Sequence, residues 1–356
     1  MQRKITLGQK HHTDDDLKTP FLFEEDITKQ DRAAIFRQAA EKLGLSAFVV
    51  EKDYMVSLLL KIIFEDIKPE CTQHTETPFL FKGGTTLSKV YGVINRMSED
   101  IDLSLNMMFL GHPEPEDSES NTALKKRIKL LTQAGERVVS DLFLVKLSNK
   151  LNKFNPAFHV QVSANNKQNL LVAYPLSLTD SDYQDSYLQP SVLIETGGKA
   201  GFDPHEHFTL KPMTMNVIDS KADDFNVAVL DIRRTFFEKL TLLHELNNRG
   251  VAAVTQRHSR HLYDIVMIHQ YNNDFVTQVE LLETVRTHKA KYFQRQTSNW
   301  KEAQPGTLTL IPTGNVRSAL AEDWQRMNGM FPNQVLPMSF EALIAAIEEI
   351  SNHINL

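Results

Sequence analysis

The stretch FKGGTTLSKVYGVINRMSEDIDLSL, residues 81–105, constrains this chain more than any other. PFLFKGG reads as a short buried strand that stops at two glycines, with a helix over about 85–94 after it. SEDIDLSL reads as a second strand. Residues two apart on a strand share a face, so Asp100 and Asp102 point the same way with Cα atoms roughly 7 Å apart. Ile101, Leu103 and Leu105 point to the other, apolar face and belong to a core. Two carboxylates on one face repel, and one tends to take up a proton. A hard divalent cation removes that repulsion. Two Mg²⁺ ions about 3.5–4 Å apart would suit activation of a hydroxyl and stabilisation of a leaving pyrophosphate. Gly83 and Gly84 let backbone N–H groups approach a phosphate at the start of a helix. Thr85 or Thr86 could cap that helix and donate to a phosphate oxygen. Lys82 and Lys89 could neutralise phosphate charge, and Arg96 could bind a phosphate or steady Asp100. A GG pair alone is usually a turn, and a DxD alone is usually a solvated edge. The order strand–GG–helix–DxD, with 15 residues between Gly84 and Asp100, favours catalysis.

Around this segment the pattern is mixed. Residues 1–30 are polar and read as an extended arm. Helices follow from Thr28 to Leu43 and over about 47–65, then the strand and helix just described. GHPEPEDSESN is an acidic loop, and a long helix runs over about 121–146. The strands AFHVQVS, NLLVAYPLS and PSVLIETG come next. From about residue 230 every segment is helical: 231–247, 257–271, 274–287, 317–328 and 339–352. These elements predict an α+β chain: a mixed sheet with flanking helices over 31–228, and a helical C-terminal domain over 229–356.

Composition narrows the functional classes. Thirty-nine Lys and Arg against 45 Asp and Glu give a net charge of −6. That excludes a uniformly basic nucleic-acid sponge but not a local basic face. The single cysteine, Cys71, allows neither an internal disulfide nor a cysteine zinc site, which fits a reducing cytoplasm. No apolar run is long enough to span a bilayer. His205, Glu206 and His207, and the pair His258 and His261, lack a nearby third ligand and are read as non-ligands.

Strand–GG[ST]–helix–DxD resembles the signature of the DNA polymerase beta-type nucleotidyltransferase superfamily. The longer form, KGGTTLSK followed by RMSEDIDLSL, resembles the AbiEii/AbiGii-type nucleotidyltransferase toxins of abortive-infection and type IV toxin–antitoxin systems. VEKDYMVSLLL at 50–60, FFEKLTLLHEL at 236–246, SRHLYDIVMI at 259–268, and EDWQRMNGMF with PMSFEALIAAI are similar to its other motifs. The resemblance implies transfer of an NMP from an NTP to a hydroxyl with Mg²⁺ (or Mn²⁺), a cognate antitoxin, and a tRNA 3′ end as acceptor. A protein side chain is the alternative acceptor, and a non-catalytic nucleotide-binding module the alternative class. It also implies metal ligation by Asp100 and Asp102, phosphate binding at Gly83, Gly84 and Thr85, and catalytic roles for Lys239 and Asp264. His261 stands where the family often has an acid three positions before Asp264. A third carboxylate from a neighbouring strand usually completes such a metal site, and Glu195 in VLIETGG is the candidate.

The residues themselves leave alternatives open at the later positions. Lys239 lies in an apolar stripe of its helix, which suits a lysine aimed at nucleotide phosphates or one snorkelling at the rim. Asp264 lies opposite an apolar stripe, four residues after Arg260, so a surface ion pair competes with a catalytic role. In RTHKAKYFQRQTSNWK, Lys289, Lys291 and Arg295 interleave with Tyr292, Phe293 and Trp300. Cations with stacking rings suit a single-stranded RNA end, and a solvated loop is the other reading.

Overall fold

A computed structural model describes residues 18–115, 118–183, 189–218 and 223–356. Most of the expected N-terminal arm therefore lies outside the described residues. Its described end is packed: Leu22 and Phe23 are buried, and the Phe23 ring lies 5.4 Å from that of Phe158. By its contacts the chain divides into two compact units. One comprises 1–85 and 99–229, the other 86–98 and 230–356.

The first unit is built on a seven-stranded mixed sheet. Its strands are β1 (Phe79–Lys82), β2 (Ile101–Leu105), β3 (His159–Val162), β4 (Asn169–Ala173), β5 (Ser191–Gly197), β6 (His205–Leu210) and β7 (Phe225–Leu230), in the order β3-β4-β5-β2-β1-β7-β6. The centre mixes directions: β1 and β2 are antiparallel, while β2 pairs parallel with β5 and β1 with β7. Ile101, Leu103 and Leu105 are buried, as their alternation demands. Strands β6 and β7 were not anticipated. HEHFTL carries only two apolar residues in six, and FNVAVL falls where the sequence pattern suggests a domain junction.

Local chemistry sets the helix ends. Helix α1 (Lys29–Leu43) starts at a Thr28–Asp31 capping box and ends at Gly44 in the left-handed conformation. Helix α2 (Ala47–Lys61) is capped by Ser46 and runs on into a π-helical turn over Ile62–Ile67. The helix after the glycines, α3, spans only Gly84–Lys89, shorter than expected. The long helix is α4 (Asn121–Arg137), a π-helical turn over Val138–Phe143, and α5 (Leu144–Phe154). Short helices α6 (Asp180–Tyr183) and α7 (Met213–Val217) complete the unit.

The second unit contains α8 (Ile232–Arg249), α9 (Arg260–Tyr271), α10 (Val279–Tyr292), α11 (Gly314–Gln325) and α12 (Phe340–Asn355). Trp324, Tyr263 and Phe331 pack ring to ring in its core. The segment 86–98 belongs here: the Asn95 N–H donates to the Tyr263 hydroxyl at 3.2 Å, and the Met97 N–H to the Met330 carbonyl at 2.7 Å. Among the described residues no helix is long and apolar enough to cross a membrane.

Candidate active site

The sheet register places four polar side chains in one row. Lys82 of β1 pairs with Asp102 of β2, Asp102 with Glu195 of β5, and Glu195 with Asn169 of β4. Directly paired residues share a face. The Asn169 amide donates to Glu195 Oε1 at 2.9 Å. Asp100 sits one residue before β2, half-buried. Burial, then the charges of Asp102 and Asp100, push the Glu195 carboxyl up to about 6, against the hydrogen bond from Asn169.

Among the described residues no three His, Cys, Asp or Glu side chains are gathered into a ready-made cation cage. The donor set nevertheless fits a hard divalent ion. Burial, with the charges of Asp102 and Asp100 adding to it, raises Glu195; a divalent cation offsets those like charges, and oxygen donors are what Mg²⁺ takes. Asn169 was not singled out from the sequence. The only signal was a polar residue opening an apolar strand.

The glycine loop is fitted to this row. Gly83 has φ +85°, and a Cβ there would lie 1.9 Å from Asp102 Oδ2. The loop backbone thus runs against the carboxylate, and only glycine permits it. The Thr85 hydroxyl donates to the Asp100 carbonyl at 2.6 Å. That hydroxyl ties the loop to the acidic strand, so its proton is not aimed at a phosphate oxygen as expected. Because α3 has six residues, a helix-dipole contribution to phosphate binding is small. Lys82 and Lys89 are both partly exposed.

Within the second unit a buried charge cluster collects the later motifs. Arg96 Nε and Nη2 each donate to Asp264 at 2.7 Å, and Nη1 donates to the Met97 carbonyl at 2.9 Å. Lys239 Nζ donates to Asp264 at 2.8 Å and lies 3.4 Å from His261 Nδ1. Burial alone would raise the Asp264 carboxyl, but Arg96 and Lys239 hold it well below the usual carboxylate range. Burial lowers Lys239, and Asp264 opposes the shift. Burial, with Lys239 and Arg260 beside it, depresses His261 strongly, so its imidazole is neutral.

Three expectations change here. Asp264 is fully buried, not half of a surface pair with Arg260. Lys239 does not snorkel; its head is held by Asp264. Arg96 is not aimed at a phosphate or at Asp100, because its planar fork is matched by Asp264 and its side chain is 2% exposed.

The basic segment near residue 290 also differs from expectation. Trp300 is buried, its indole N–H donates to the Phe293 carbonyl at 3.0 Å, and the Lys289 ammonium lies 5.4 Å from its ring centre. Lys289 also donates to the Glu238 carbonyl at 2.9 Å. Trp300 is therefore a core residue and cannot stack on a base, and Lys289 serves as its packing partner. Arg295 stays largely exposed, and Lys291 lies partly exposed beside Tyr292. His205 Nδ1 sits 2.9 Å from Asp203 Oδ1.

A family profile described as "Nucleotidyl transferase AbiEii toxin, Type IV TA system" matches residues 71–346. The chain belongs to the AbiEii nucleotidyltransferase toxin family. It is accordingly a nucleotidyltransferase and the toxin of a type IV toxin–antitoxin system, a class that comes with an antitoxin partner. Among solved structures it is similar to MenT4, the nucleotidyltransferase toxin Rv2826c from Mycobacterium tuberculosis H37Rv. Identity is 17%, coverage is 91% of this chain and 89% of that one, and the TM-score is 0.44. No curated protein matches the chain.

Proposed function

We propose that this toxin transfers an NMP from an NTP to the 3′ hydroxyl of tRNA, with Mg²⁺ held by Asp100, Asp102 and Glu195. The observation that carries this is the Lys82–Asp102–Glu195–Asn169 row with Gly83 set against Asp102. Bound there, Mg²⁺ (or Mn²⁺) would lower the pKa of the attacking hydroxyl and neutralise charge on the leaving pyrophosphate. The chain's own part is positioning. Backbone N–H groups of Gly83, Gly84 and Thr85 hold phosphate oxygens, and Lys82 and Lys89 offset their charge. Asn169 keeps the Glu195 carboxylate turned to the row. Lys239 and Asp264 form the buried ion pair of the second unit. Lys291 and Arg295 are the remaining candidates for contacts to the acceptor's backbone.

Incubating the protein with each α-labelled NTP, Mg²⁺ and total RNA, then separating products on a gel, tests this. Label at the size of tRNA is expected. Label on protein would give a side-chain acceptor instead, and no label with any NTP would reject transfer.

A further inference from the structure

Four consecutive residues of α2 each tether a different part of the first unit. Glu51 accepts from the Ser177 N–H at 2.7 Å and the Tyr183 hydroxyl at 2.6 Å. Asp53 accepts from the Met213 N–H at 2.7 Å. The Tyr54 hydroxyl donates to Asp223 at 2.8 Å and accepts from the Leu22 N–H at 3.2 Å. Lys52 stands out among them. Its ammonium donates both to the Glu99 carboxylate and, at 2.7 Å, to the Gln189 carbonyl.

The positions of those two partners matter. Glu99 lies two residues before β2, and Gln189 two residues before β5. These neighbouring parallel strands carry Asp102 and Glu195 in register. One buried cation thus clasps the leading ends of both carboxylate strands. Lys52 is only 4% exposed. A buried ammonium is costly unless fully matched, so its two acceptors are held in fixed places rather than loosely attracted.

We infer that Lys52 is a positioning residue: through Glu99 and Gln189 it fixes β2 against β5 and so sets the spacing of Asp100, Asp102 and Glu195. This rests on the assignment of those carboxylates to the metal. The position of Lys52 also makes its effect separable from simple charge. Removing a cation near three carboxylates should by electrostatics alone tighten divalent-cation binding. Removing a clasp should loosen it.

The test is Mn²⁺ binding by the full-length protein without nucleotide, followed by electron paramagnetic resonance. Lys52→Met should weaken Mn²⁺ binding about tenfold. Lys52→Arg, which keeps charge and donors, should stay within about threefold of wild type. If Lys52→Met does not fold, Lys52→Met/Glu99→Gln removes both charges while still breaking the clasp, and should show the same weakening. Binding by either variant that equals or exceeds wild type would overturn the inference. Asp102→Asn is the control. If it binds Mn²⁺ as wild type does, or if wild type binds none, the metal assignment fails and the inference with it. Loss of binding in Asp102→Asn alone, with Lys52→Met unaffected, would leave the assignment standing and reject Lys52.

Discussion

The α-carbon of Gly83 stands so close to Asp102 that a methyl group added to it would sit 1.9 Å from the carboxylate oxygen. The same residue has φ +85°, where a side chain costs about 1–2 kcal/mol. Gly83→Ala therefore carries two penalties, one in the backbone and one in the reacting row. The expected outcome is a folded protein with a melting temperature lowered by several degrees, and transfer reduced at least about a hundredfold by displacement of Asp102. Thermal unfolding and labelled-NMP transfer, measured on the same preparation, check both.

Glu195 predicts a pH signature in metal-free protein. Its carboxyl moves from 4.5 to about 6 on folding, so the folded state holds the proton more tightly than the unfolded one. The contribution of Glu195 to stability is then greatest below about 4.5 and falls as pH rises through 6. A shift of this size corresponds to about 2 kcal/mol, which partial solvent exposure reduces to about 1 kcal/mol. Glu195→Gln should match wild type near pH 4 and be more stable near pH 8. Urea titrations at both pH values in a chelator would show it; equal differences at the two would remove the coupling.

Asp264→Asn leaves Arg96 and Lys239 buried without their shared counter-ion. The expected loss is about 3–5 kcal/mol of unfolding free energy. Because Asp264 is held below the usual carboxylate range, its contribution is present above the unfolded value near 3.8 and fades as pH falls below it. The wild-type advantage over Asp264→Asn, read by urea unfolding, should therefore shrink on acidification below about pH 4.

Lys239→Ala has a smaller expected effect, about 1–3 kcal/mol, since Arg96 still satisfies both Asp264 oxygens. The helical wheel alone suggests no loss at all from removing a lysine in an apolar stripe. A measurable drop in unfolding free energy supports the buried pair.

Trp300→Ala should cost about 3–5 kcal/mol as a large core truncation. The folded fraction should bind RNA with unchanged affinity at every salt concentration. A specific loss of RNA affinity without loss of stability would restore the stacking role.

What the sequence revealed, and what it hid, follows from the range of the interactions. The glycine pair, the DxD and the alternation of Ile101, Leu103 and Leu105 are local patterns, and each fixes its own strand or turn. Glu195 could be proposed from strand alternation once a third carboxylate was wanted. Its pairing with Asp102 needed the parallel β2–β5 register, which links residues 93 positions apart. Lys52 and Arg96 were hidden for the same reason. A lysine in VEKDYMV or an arginine before an acidic strand carries no local sign of whether its partner is a phosphate or a distant side chain. Trp300 misled because aromatic residues among cations look alike whether their rings face solvent or core.

The excursion of residues 86–98 into the helical unit has a consequence for how this toxin can be divided. A cut near residue 230 looks natural in the linear sequence but yields no self-sufficient half. The N-terminal fragment would carry Arg96, Asn95 and Met97 with nothing to receive them. The C-terminal fragment would keep Asp264 and lose the guanidinium that grips it. Split expression, limited proteolysis and domain swaps at that junction should therefore give insoluble or protease-sensitive pieces. A chain that crosses between its units inside α3, again just before the acidic strand and once more at 229/230 ties the integrity of one to the completion of the other.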